Sequence, residues 1–121
     1  MRGEVVLLSR NIKIVGNETE DWGAQILTSD FVEGDGTQRS GLTMMDNVEV
    51  YNCSQFDTFK AAIRFEASYL SKSVISNCAI HHGLGKGVQL LDAANLTFIN
   101  NTIFMFVGIG INMESVSNMT I

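Results

Sequence analysis

The chain has 121 residues and only two histidines, and these are adjacent: His81 and His82. Imidazole can exchange protons near neutral pH and is the commonest metal-ligating side chain. On an extended segment, neighbouring side chains point to opposite faces, which works against two adjacent rings holding one ion. A tetrahedral site would also need two further N or S donors from distant parts of the chain. The preferred reading packs one ring into a corner and leaves the other solvated, with catalysis or metal binding as the alternative. Glu66, Asp92 and Glu114 form the best acidic group, because they fall near equivalent places in successive sequence repeats. Hydrolysis of a glycosidic bond generally takes two carboxyl groups about 5 to 9 Å apart, and a carboxylate row could also hold Ca²⁺. Such residues also end strands simply by hydrating the surface, and that reading is preferred. No cofactor is otherwise expected. Gly83-Leu84-Gly85-Lys86-Gly87 has the look of a phosphate cradle, but it lacks P-loop spacing and no helix follows it, so it reads as a turn.

Cys53 and Cys78 align in one column of the repeat. Stacked strands lie about 4.8 Å apart, within the roughly 4.4 to 6.8 Å that a disulfide spans. A bridge between coils and a pair of buried thiols are both open readings. Five Asn-x-Ser/Thr sequons occur, at Asn17, Asn52, Asn95, Asn100 and Asn118. Asn52 and Asn100 align with Asn77 in a corner column, where inward amides leave no room for a sugar. Asn95 and Asn118 share an outward column with Asn47 and Lys72, and Asn17 lies in a polar turn. Glycosylation is therefore expected at Asn17, Asn95 and Asn118.

The elements that must hold these groups follow from self-similarity. Ala62-Ile63-Arg64-Phe65 aligns with Gly87-Val88-Gln89-Leu90 and then with Gly110-Ile111-Asn112-Met113, at offsets of 25 and 23 residues. The same offsets take Val48 to Ser73 to Leu96, Val50 to Ile75 to Phe98, and Asn52 to Asn77 to Asn100. Short runs of period-two alternation recurring every twenty-odd residues in one direction predict stacked parallel strands. The fold expected is an all-β, right-handed parallel β-helix with three strands per coil and about four to five coils. Its repeats cover about residues 42–67, 68–93 and 94–115, with a partial repeat at 116–121. Two earlier strands are expected at Val5-Val6-Leu7-Leu8 and Asn11-Ile12-Lys13-Ile14-Val15, and an exposed loop from Phe31 to Gly41. The Asn column suits sharp corners, because Asn tolerates left-handed backbone.

Composition bounds the function. Hydrophobic content of 45% with 17% charge suits one packed domain, and a net charge of −5 disfavours nucleic acid. No apolar run is long enough to span a bilayer, and the N-terminal apolar stretch is too short for a secretory signal. The chain is expected to be a piece of a larger protein, because a solenoid needs polar caps and the last strand stops within a repeat.

Two passages resemble one family. Glu4-Val5-Val6-Leu7-Leu8-Ser9-Arg10-Asn11-Ile12-Lys13-Ile14 is similar to the strand that follows the G8 domain in fibrocystin, fibrocystin-like proteins and the cell-surface hyaluronidases. Ala79-Ile80-His81-His82-Gly83, leading into Gly87-Val88-Gln89-Leu90, resembles the His-His turn of their parallel β-helix. The hyaluronidase branch carries a Gly-His and then a Glu-Asp-Gly in the next coil. This chain has Gly108-Ile109-Gly110-Ile111-Asn112-Met113-Glu114-Ser115 there, which favours the fibrocystin-like branch. The resemblance implies an extracellular or cell-surface segment of a large secreted or single-pass receptor. The reading preferred on all counts is a non-enzymatic β-helix module, serving as a spacer or as a wall that binds a protein or polysaccharide. The alternatives are a carbohydrate-active hydrolase or lyase using the acidic residues and His82, and end-to-end self-association through uncovered strand edges.

Overall fold

The structure is a computed structural model and describes residues 12–17 and 23–121. The strand expected over residues 5–8 and most of the polar turn after Gly16 lie outside the described residues. Twelve strands follow one another among the described residues: β1 (Ile12–Val15), β2 (Ile26–Thr28), β3 (Phe31–Val32), β4 (Gln38–Arg39), β5 (Met44–Asp46), β6 (Val48–Tyr51), β7 (Ile63–Ser68), β8 (Ser73–Ser76), β9 (Ala79–Gly83), β10 (Val88–Ile99), β11 (Thr102–Phe106) and β12 (Ile111–Thr120). No helix occurs among the described residues. Among the described residues all pairings are parallel except the small β3–β4 hairpin, which occupies the region expected to be a loop.

The parallel pairs stack the chain on itself. One sheet has the order β1-β6-β9-β11. In a second, β2, β7, the first half of β10 and the first half of β12 lie rung on rung, with Ile26 over Ile63, Ile63 over Val88 and Val88 over Ile111. The second half of β10 continues past a bend to pair with β8, and β8 pairs in turn with β5. Alternation sends one side chain of each strand inward. Val50, Ile63, Phe65, Ile75, Ile80, Val88, Leu90 and Leu96 are almost fully buried between the sheets. Burying a side chain of this size stabilises the fold by about 1.5–3 kcal/mol, and this apolar column holds the coils together.

Corners fall where non-glycine residues take left-handed backbone, and they recur coil after coil. Asn47, Asn77 and Asn100 form one such column, at φ 57°, 54° and 55°. Their alignment follows from the ladder, since Asn47 N–H donates to Ser76 O at 3.2 Å and Asn77 N–H donates to Ile99 O at 3.1 Å. Ala67, Asp92 and Ser115 form a second column, and Asn52, His82 and Met105 a third.

Part of the expected register is corrected here. The offset of 25 holds between β7 and β10 but not one coil earlier. Asp46 faces Ser76 at a separation of 30 residues, and Val50 lies over Ile80 rather than Ile75. The extra length is the loop over residues 55–60, closed by Gln55 N–H donating to Lys60 O at 3.0 Å. Asn52 therefore leaves the column of Asn77 and Asn100, and Asn47 takes its place. Asn47 in turn does not share the outward column of Lys72, Asn95 and Asn118. Cys53 and Cys78 lie at different corners for the same reason, and both are buried. Cys53 Sγ donates to Tyr51 O at 3.3 Å and Cys78 Sγ to Ser76 O at 3.1 Å. Burial pushes the Cys53 thiol pKa up, which keeps it protonated and unreactive.

Candidate functional site

The outer face of the β1-β6-β9-β11 sheet gathers the groups best able to contact a ligand. Register places Val15, Tyr51, His81 and Phe104 on successive rungs of one outward column. Phe104 stacks on His81 with ring centroids 4.7 Å apart and planes inclined by 14°. Tyr51 lies on the other side of His81, at 5.3 Å. Lys13 and Glu49 sit in the neighbouring outward column, where Lys13 Nζ is 2.9 Å from Glu49 Oε2. Glu49 Oε1 is 3.1 Å from His81 Nε2.

The expectation that His81 and His82 point to opposite faces is corrected. His82 has φ 52°, so the strand ceases to alternate and the second ring turns back towards the first. The two Nδ1 atoms come within 2.6 Å of one another, with ring centroids 4.9 Å apart and nearly perpendicular. His82 also touches Tyr51 at 5.5 Å and Phe104 at 5.7 Å. Four rings thus make one cluster. His81 is nearly enclosed within it, its side chain 12% exposed, while His82 is exposed to solvent. The contact to Glu49 assigns the tautomer. When His81 is neutral its Nε2–H donates to the carboxylate, and its Nδ1 accepts from the Nδ1–H of His82. The chain Lys13–Glu49–His81–His82 then ends in an Nε2 lone pair facing solvent.

The acidic row is also corrected. Glu66 and Glu114 both pair with Leu91, which lies between them, and Asp92 falls one position later in the left-handed corner column of Ala67 and Ser115. Glu66 forms an ion pair with Arg64, and Glu114 accepts a hydrogen bond from Asn112 at 2.7 Å. These carboxylates do not converge, and they stand on a different sheet from the histidines. The Gly83–Gly87 turn is no anion cradle either. Leu84 N–H donates to Cys53 O, Gly85 N–H to the Ser54 hydroxyl and Gly87 N–H to Ile109 O. No group of three or more His, Cys, Asp or Glu side chains placed to hold a metal ion occurs among the described residues.

Of the sequon residues, Asn17, Asn100 and Asn118 are exposed, and Asn52 and Asn95 half-buried. Asn100 is thus not turned inward as expected, because its left-handed corner directs it to solvent. Asn95 donates its amide hydrogen to Tyr69 O at 2.8 Å and accepts one from Asn118.

Two carboxylates clip rungs together, and they carry an acid-sensitivity prediction. The hydrogen bond from Lys13 holds the Glu49 carboxyl below its ordinary 4.5, helped by His81 and opposed by burial. Hydrogen bonds from Ser76 and then Asn77 hold Asp46 below its ordinary 3.8. A carboxyl whose folded pKa is depressed adds stability that is complete above its unfolded value and lost as pH falls through the folded one. The wild-type urea midpoint is therefore expected to drop on going from pH 7 to pH 3. The double variant Asp46→Asn, Glu49→Gln should start lower at pH 7 and fall less. Equal losses in both proteins would show that these clips do not contribute.

Stacked parallel strands, left-handed corners and a continuous apolar column define a parallel β-helix. Residues 9–121 match the family model described as "Right handed beta helix region", and the chain belongs to that family. It is similar to Fibrocystin-L of Homo sapiens, 31% identical over 133 residues covering 98% of this chain and 3% of the relative. It is also similar to Fibrocystin-L of Mus musculus, at 26% identity with the same coverage. The chain therefore spans only about 3% of the length of the curated relatives it matches. No solved structure matches it.

Sequence reasoning singled out the His pair but missed Lys13, Glu49, Tyr51 and Phe104. The signal was present, because Tyr51 and Phe104 occupy the same register position as His81. For Tyr51 it was hidden by the residues that the loop at 55–60 adds, whereas Phe104 stands at the same offset of 23 from His81 that aligns the later coils.

Proposed function

We propose that the chain is a rigid, non-catalytic module of a fibrocystin-like surface receptor, set outside the cell, whose aromatic face docks a protein or polysaccharide ligand. The observation that carries this reading is the outward column of Val15, Tyr51, His81 and Phe104 on a parallel sheet, exposed at its two ends and half-buried between them. Val15 is 51% and Phe104 41% exposed. Aromatic rings present large apolar area at little entropic cost, and their polar edges and neighbours fix orientation. The extracellular setting draws on the likeness to Fibrocystin-L. Among the described residues no helix is long and apolar enough to cross a membrane. Glycans on Asn17, Asn95 and Asn118 belong to the same reading, with Asn118 exposed where Asn95 is half-buried.

The reading is tested by screening the labelled chain against a glycan array and a panel of purified extracellular-matrix proteins, beside a Tyr51→Ala, Phe104→Ala double variant. Removing both rings should weaken the best hit at least about tenfold, since each buried aromatic anchor at an interface is worth roughly 1 to 2 kcal/mol or more. Hits that the double variant retains at full strength would place the docking surface elsewhere, and turnover of hyaluronan by the wild type would replace the module with an enzyme.

A further inference from the structure

We propose that His81 and His82 form a two-nitrogen chelate for a borderline divalent transition-metal cation, with Cu²⁺ preferred over Zn²⁺. The starting observation is the approach of the two Nδ1 atoms to 2.6 Å. Two imidazole nitrogens aimed at one point repel unless something positive lies between them, either a proton or a metal ion. Three features favour the ion as an occupant.

The first is that His81 is already held in a ligand's tautomer. Its Nε2 faces Glu49 Oε1 at 3.1 Å, and Glu49 is itself anchored by Lys13. A carboxylate bonded to the outer nitrogen of a metal-binding histidine fixes ring orientation and makes the inner nitrogen a better donor. Glu49 thereby acts as a support and not as a ligand. The second feature is that the convergence is built into the backbone. His82 occupies a corner whose equivalents, Asn52 and Met105, have φ 54° and 56°, so the turn that brings the rings together belongs to the fold. The third is that the site can open. Metal–nitrogen bonds of about 2.0–2.1 Å require the nitrogens to separate slightly from their present spacing, and they require the His82 proton to pass through solvent from Nδ1 to Nε2, so that Nδ1 becomes the donor. His81 is clamped between Tyr51 and Phe104, whereas His82 is exposed, so its ring can turn outward at the loss of its contacts to Tyr51 and Phe104.

Imidazole donors select Cu²⁺ and Zn²⁺ over the oxygen-seeking Ca²⁺, and the Irving–Williams order puts copper first. With two protein ligands the remaining coordination positions face solvent. They are open to water or to a donor from whatever docks on the aromatic face.

The test adds CuCl₂, ZnCl₂ and CaCl₂ separately to the whole chain at neutral pH. Binding is followed by calorimetry, and for Zn²⁺ also by the ¹⁵N shifts of both imidazoles. One Zn²⁺ per chain should bind and move both Nδ1 resonances while His81 Nε2 remains protonated; Cu²⁺ should bind more tightly and Ca²⁺ not at all. His82→Asn should abolish this binding, since Asn suits the left-handed corner and keeps the chain folded. Glu49→Gln should weaken it by roughly ten- to a hundredfold without changing the stoichiometry, as loss of an outer-shell partner does. Nδ1 resonances that stay fixed at saturating Zn²⁺ would leave only a shared proton and overturn the proposal. So would Zn²⁺ and Cu²⁺ binding that persists unchanged in a folded His82→Asn protein.

Discussion

Replacing Phe65 with Ala is expected to cost about 3–5 kcal/mol, the range for removing a fully enclosed aromatic ring from a core. Phe65 is 1% exposed and belongs to the central apolar column. Thr28 lies on the rung beneath it and Leu90 on the rung above, so the ring helps to bind two coil interfaces. In a solenoid each coil touches only its neighbours. The cavity therefore cannot be refilled from elsewhere, and both interfaces weaken together. The measurement is the urea midpoint with its slope. A loss above 3 kcal/mol at unchanged slope is expected, against a change within about 0.5 kcal/mol for Phe56→Ala, whose ring is 63% exposed. A Phe65→Ala protein as stable as wild type would mean that the coils do not cohere through this column.

What was legible in the sequence depended on whether insertions interrupt the repeat. Ile63, Val88 and Ile111 stack as the alignment says, because the segments joining them carry the same punctuation and nearly the same length. The parallel β-helix follows from that column alone. One coil earlier the loop at 55–60 adds residues, and alignment by the nearest similar letters settled on the wrong partners. Val50 looks equally like Ile75 and Ile80, since a period-two apolar pattern does not label its own register. The errors at Cys53 and Asn52 all descend from that one slip. The His pair failed for another reason. Alternation of side chains presumes extended backbone, and nothing in the identity of His82 announces φ 52°. Only its equivalence to Asn52 does so, and that equivalence appears once the loop is placed. The acidic row was misread by a single position, which in a strand transfers a side chain from one face to another.

Gly85→Ala, in the turn that packs on the root of the inserted loop, is expected to cost about 1–3 kcal/mol. A Cβ on Gly85 would lie 2.2 Å from Gln55 O and 2.8 Å from Gln55 C. Both are backbone atoms at the root of the loop, so no side chain can swing aside. The coil must part there, and the hydrogen bond from Gly85 N–H to the buried Ser54 hydroxyl, at 2.7 Å, is stretched with it. Leaving a buried donor unmade adds to the cost. The contrast is Gly34→Ala, where an added Cβ meets nothing within 4 Å and stability should be unchanged or slightly raised. The effect should also be local as well as global. Hydrogen exchange at the Gln55 amide, which is bonded to Lys60 O at 3.0 Å, should accelerate more in Gly85→Ala than the drop in overall stability accounts for. Phe59 rides on the same loop and covers the Arg64 guanidinium at 4.6 Å, so loosening the root should expose that arginine as well. Unchanged exchange at Gln55 together with an unchanged midpoint would show that the loop does not lean on the turn at Gly85.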